Sequence, residues 1–143
     1  MKIFISILIV CFCFSTNVKA DTIDNYQIYI KKVLVRNDSG FPGDSKNKLY
    51  ISLDKSLCKE FLELHFHHCT GYIGKRKVAI IDKDSRVIKE FEFITTDYDA
   101  EMNIPVSFLC KNSSIKSNVS YTLVYYDENV KEGRVLSDIR ILK

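Results

Sequence analysis

The 143-residue chain has no tryptophan, two prolines, five glycines, three histidines and no segment that keeps a helical period for three turns. Lack of tryptophan argues against an antibody-type variable domain, whose sandwich buries one. Beyond the N-terminus no apolar run nears the ~20 residues of a bilayer span, so no stable membrane span is expected. No glycine-rich phosphate loop and no Ser-His-Asp arrangement can be found, and every histidine falls within residues 65–68. A cysteine nucleophile with an imidazole base would have to be built inside that one region.

Net charge is equally uninformative about acidic partners. Lys2 and Lys19 belong to a leader, and setting them aside lowers Lys+Arg from 21 to 19 against 18 Asp+Glu. A charge near +1 supplies no concentrated positive field, so no nucleic acid partner is expected. The leader itself is Met1–Ala20: Lys2 as the basic n-region, Ile3 to Phe14 as the apolar h-region, and Val18-Lys19-Ala20 as the cleavage site ahead of Asp21. The expectation is a secreted or periplasmic protein, cut after Ala20, with one domain over residues 21–143.

Within that domain the alternation of apolar and polar residues predicts an all-β, antiparallel, Ig-like β-sandwich of about eight strands, with a small barrel as the rival closure. Tyr26 to Val35 reads as one strand that Lys32 interrupts. A loop follows over Asn37–Ser45, then a strand over Leu49–Leu53 and a helical turn capped by Asp54. Phe61 to Cys69 reads as a strand, Lys75-Arg76-Lys77 as a solvated loop, and Val78–Ile81 with Arg86–Ile94 as a hairpin around Asp82–Ser85. Met102 to Cys110 alternates without a break and reads as a strand that lies at an edge or is bulged at Pro105, which removes a ladder donor. Val119–Tyr125 is the next strand, Asp127–Gly133 turns it, and a stretch with Val135, Ile139 and Ile141 on one parity ends the chain.

Chemistry concentrates on the histidine strand. A period of two puts Leu62, Leu64, Phe66 and His68 on one face and Phe61, Glu63, His65, His67 and Cys69 on the other. Imidazoles two residues apart could share a zinc or copper ion, with Cys69 or Glu63 as third ligand. His65-Phe66-His67 resembles the strand motif of α-type carbonic anhydrases, and its His-x-His is similar to the copper strand of Cu/Zn superoxide dismutases. Both likenesses cover about five residues, and both families need further histidines that this chain lacks, so neither fold nor activity is carried over. The favoured reading is two imidazoles facing water, His68 near the rim of the core, and no cofactor. Asp82-x-Asp84 and Asp97-x-Asp99-x-Glu101 look like the paired aspartate loops of calcium-binding C2-type sandwiches. They flank one strand at opposite ends and cannot pool their ligands.

Cys58, Cys69 and Cys110 allow three single pairings in an oxidising compartment, and Cys69–Cys110 is the one favoured. Sequons at Asn37, Asn112 and Asn118 are glycosylation acceptors if the source is eukaryotic. Tyr29, Tyr50 and Tyr126, on exposed parity, are candidate contact residues. The tail SYTLVYYDENVKEGRVLSDIRI, residues 120–141, resembles the closing strands of the MD-2-related lipid-recognition family, which implies an apolar ligand between two sheets. The expected function is that of a binding module and not an enzyme, with a protein, glycan or apolar ligand as partner.

Overall fold

The computed structural model describes residues 25–38, 50–68, 72–96, 99–113 and 115–142. The leader at 1–20 and Cys69 lie outside the described residues. Nine strands form an antiparallel β-sandwich: β1 (Asn25–Ile30), β2 (Val33–Asp38), β3 (Tyr50–Leu53), β4 (Phe61–His67), β5 (Gly74–Ile81), β6 (Val87–Thr95), β7 (Asp99–Pro105), β8 (Ser120–Tyr126) and β9 (Arg134–Ile141). One sheet has the order β2-β1-β4-β7, and the other β3-β9-β8-β5-β6. Only β3 and β9 run parallel among these pairs.

The core is the layer between the sheets. Alternate residues of β1 (Tyr26, Ile28, Ile30) and β4 (Leu62, Leu64, Phe66) face Val78 and Ile80 of β5 and Leu123 and Tyr125 of β8. Each fully buried aliphatic or aromatic side chain there contributes about 1.5–3 kcal/mol relative to exposure. Phe66 stacks on Tyr125 at 4.0 Å between ring centroids, joining the two sheets at the centre.

Four local readings are corrected. Residues 26–35 are not one strand: Lys31 and Lys32 both take positive φ, 53° and 62°, and turn the chain tightly from β1 into β2. Twist matching of a two-residue hairpin requires that conformation whatever residues occupy it. Residues 102–110 are not one strand either. β7 stops at Pro105, and Val106–Lys111 is a helix, α1, with Val106 and Leu109 buried. Apolar residues at 106, 109 and 110 satisfy a helical spacing as well as the strand parity, and Pro105 ends the ladder.

The third correction concerns β9. Val135 is exposed while Leu136, Ile139 and Ile141 are buried. A bulge opposite Leu123/Val124 shifts the register, so Leu136 and Ile139 both reach the core despite their odd spacing. The fourth concerns Lys75-Arg76-Lys77, which lies inside β5 with Arg76 only 1% exposed.

Asp54 does cap a short 3-10 turn, Lys55–Leu57, accepting from the Ser56 amide at 2.7 Å. That turn presents Cys58 to Cys110 at the end of α1, and the two form a disulfide. The Cys69–Cys110 pairing is thereby overturned. Helix formation after Pro105 carries Cys110 off the path of β7 and toward the 3-10 turn. The bond closes a 52-residue separation, for which loop-closure entropy implies a contribution of about 2–4 kcal/mol.

A turn after β8 ends on Gly133, φ 81°. A Cβ there would lie 2.4 Å from the Tyr126 ring and 2.9 Å from Val124. Gly133→Ala is therefore expected to cost about 2–3 kcal/mol, from left-handed backbone strain and overpacking together. A loss of less than about 0.5 kcal/mol, read from the urea midpoint at constant slope, would disprove the close approach.

Candidate functional site

Two surfaces carry groups able to act on another molecule, one on each sheet. The histidine strand defines the first. β4 sits between β1 and β7, pairing Gln27 with His65 and His65 with Glu101, so three polar side chains lie in one row. The next row holds Tyr29, Glu63 and Asn103, and the one beyond His65 holds Asn25, His67 and Asp99. Burial follows the expected parity: Leu62, Leu64, Phe66 and His68 are buried, Glu63 and His65 half-buried, and His67 exposed.

Glu63, His65 and Glu101 each offer a ligand atom, all within 4.8 Å of one another. Asn103 donates its Nδ2 to Glu101 Oε1 at 3.0 Å. The Tyr29 ring meets His65 edge-on at 5.1 Å, and the Tyr29 hydroxyl donates to Gln27 Oε1 at 2.8 Å. Of the four expected metal ligands, Glu63 and His65 come together, His67 faces the same way one row off, and Cys69 lies outside the described residues. Glu101 was missed because strand register, not sequence proximity, brings it opposite His65.

The second surface lies on the five-stranded sheet, where β5, β6 and the end of β8 frame a cleft of 610 Å³. Lys75 and Lys77 of β5, Glu90 and Glu92 of β6, and Glu128 and Lys131 of the turn after β8 line it together with Tyr126. Arg76 and Asp127 underlie the floor. Arg76 donates from Nη1 to Phe66 O at 2.9 Å, from Nη2 to Tyr72 O at 2.8 Å and from Nε to Thr95 Oγ1 at 3.1 Å. Asp127 Oδ2 accepts from Tyr125 Oη and from His68 Nε2, both at 2.5 Å. Its Oδ1 accepts the amides of Asn129 and Val130 at 2.7 and 2.8 Å, which shapes the turn leading to Gly133.

Electrostatics follow from those contacts. Burial pushes the Asp127 carboxyl up, but the bonds from Tyr125, His68, Val130 and Asn129 outweigh it and hold the group below its ordinary range. Burial first, and the bond to Asp127 second, push the Tyr125 phenol well above its ordinary value. An ionised carboxylate can only accept, so His68 Nε2 carries the proton it shares with Asp127.

The contact candidates do not form one patch. Tyr29 is on the four-stranded sheet beside His65. Tyr50 is 51% exposed at the opposite sheet's β3 edge, beneath Arg140, and Tyr126 lines the cleft. Asn37 and Asn118 are exposed and Asn112, at the end of α1, is half-buried. Asp82 and Asp84 bind Arg86 at 3.0 and 2.9 Å, while Asp99 and Glu101 belong to β7.

No protein-family model matches the chain, and no curated protein is found to be similar to it. The half-buried disulfide indicates an oxidising environment. No described helix is long and apolar enough to cross a membrane.

Proposed function

We propose that this chain is a secreted or periplasmic, non-enzymatic binding module that grips a segment of a partner protein in the cleft on its five-stranded sheet. One observation carries the reading: a 610 Å³ recess whose charged walls stand on a floor fixed by buried hydrogen bonds. Lysines on β5 beside glutamates on β6 complement a polypeptide of mixed charge, and Tyr126 offers a large, stiff contact area at low entropic cost. The His68 and Asp127 side chains are 2% and 0% exposed, so this imidazole–carboxylate pair serves the fold and is sealed from substrates. Export is supported by the Met1–Ala20 leader motif and by the disulfide. Exposed sequons at Asn37 and Asn118 would accept glycans in a eukaryotic source.

The test is retention of a partner from the host's extracellular or periplasmic fluid. Tyr126→Ala and the exposed Lys131→Glu are each expected to lower retention at least about tenfold, as central interface residues do. Tyr29→Ala, on the other sheet, should leave retention unchanged. Equal retention by parent, Tyr126→Ala and Lys131→Glu would sink the reading.

A second observation favours an apolar ligand. Ile30, Val33, Val35, Ile51 and Leu57 line a 320 Å³ cleft where the β2 and β3 edges of the sandwich meet. An acyl chain seated there fits the MD-2-related resemblance, and organic extraction of the purified protein followed by mass spectrometry checks it. Recovery of no lipid would leave the charged cleft as the better reading.

A further inference from the structure

The outward face of the four-stranded sheet is deficient in basic residues. β1, β4 and β7 contain no lysine or arginine, although the chain has 21. Some carboxylates elsewhere are answered by cations, as in Lys77–Glu90, Lys31–Glu60 and Arg86–Asp82. Here two carboxylates and an imidazole converge, and no described lysine or arginine forms an ion pair with either carboxylate.

We propose that Glu63, His65 and Glu101 form a binding site for one zinc ion. Four-coordinate zinc with bonds of about 2.0–2.2 Å places neighbouring ligands roughly 3.4 Å apart. The three donor atoms already lie within 4.8 Å of one another, and small torsions of the two glutamate side chains close the difference. Asn103 occupies Glu101 Oε1 and so leaves Oε2 to the metal. Tyr29, tied to Gln27, restricts the His65 ring from the side. Such supporting contacts are what orient ligands in a metal site.

The donor set fits a divalent first-row ion, and zinc is the one proposed. An imidazole with two carboxylates suits zinc, whereas calcium takes six to eight oxygens and cuprous copper prefers thiolate. His67 is not a ligand. It pairs with Asn25 and Asp99, on the far side of His65 from Glu63, and it is not among the three residues whose donor atoms converge. Three protein ligands leave the fourth position to water. The site is on the sheet opposite the cleft and does not rest on the partner proposed above.

Calorimetric titration of the purified, untagged protein with zinc chloride at neutral pH tests the assignment. One ion per chain is expected to bind. His65→Ala, Glu63→Gln and Glu101→Gln should each weaken binding at least about tenfold, since even outer contacts of a metal site are worth 10–100-fold. His67→Ala should keep the parent affinity, and added calcium should not compete. Thermal midpoints of the metal-free variants should match the parent, so that lost binding reflects lost ligands. Absence of binding up to about millimolar zinc overturns the site. So does binding that survives both His65→Ala and Glu101→Gln, or that His67→Ala weakens equally.

Discussion

Replacing Asp127 with alanine is expected to lower the free energy of unfolding by about 3–5 kcal/mol, the scale for removing one partner from a buried ionic cluster. The carboxylate is the common acceptor of four donors: Tyr125 Oη, His68 Nε2 and the amides of Asn129 and Val130. Alanine leaves all four without it, two of them in the interior beneath Phe66. Leaving a buried donor unmatched costs about 1–3 kcal/mol, so the side-chain pair alone accounts for most of the loss. Asp127→Asn keeps the Oδ1 acceptor for the turn and should recover part of it. Urea unfolding reads the difference as a lower midpoint at constant slope. A loss under about 1 kcal/mol would mean that water replaces the carboxylate and that the cleft floor is not fixed as described.

The same cluster gives stability a pH dependence with a defined sign. Because the Asp127 carboxyl is held below its ordinary value in the fold, its contribution is full above the unfolded value, about 3.9, and is lost as pH falls through the native one. Tyr125 is displaced upward. Its contribution is full below the unfolded phenol value, about 10, and declines in alkali as the unfolded chain ionises first. Asp127→Asn should flatten the acid limb of the stability profile, and Tyr125→Phe should soften the alkaline one.

How much of this was legible in the sequence depends on the distance over which each feature is determined. The alternation of Leu62, Leu64, Phe66 and His68 is local, and it placed β4, its buried face and its polar face correctly. The hairpin at Asp82–Ser85 is equally local, coded by the Asp82 side chain that accepts the amides of Asp84 and Arg86. Features set by register were hidden. His65 and Glu101 are brought opposite each other only by the β4–β7 pairing, which no spacing rule reveals. Cys58 and Cys110 met because Val106–Lys111 coils, and the residues that coil satisfy the strand period too. Lys31-Lys32 has no glycine or asparagine to announce its left-handed turn. A basic triplet on paper looks solvated, yet β5 points its middle residue inward on the parity of Val78 and Ile80.

That middle residue supports the other large expected effect. Arg76→Ala should destabilise the protein by about 3–5 kcal/mol, because its donors serve acceptors in three separate places and no single smaller group can replace them. Phe66 O ends the core run of β4, Tyr72 O lies just ahead of β5, and Thr95 Oγ1 closes β6. The guanidinium also lies 5.4 Å from the Tyr72 ring centroid. Arg76→Met tests the polar part alone, since it keeps much of the volume while leaving the two carbonyls and the threonine hydroxyl without these donors. Arg76→Lys is the sharper comparison. A lysine ammonium is one compact point and cannot span a planar fork of donors, so it should restore less than half of the loss. Recovery of full stability by lysine would show that charge alone matters there. A result in which only arginine suffices would identify Arg76 as the cross-link that holds the end of β4, the segment leading into β5 and the end of β6 in fixed relation, and with them the floor on which the charged cleft stands.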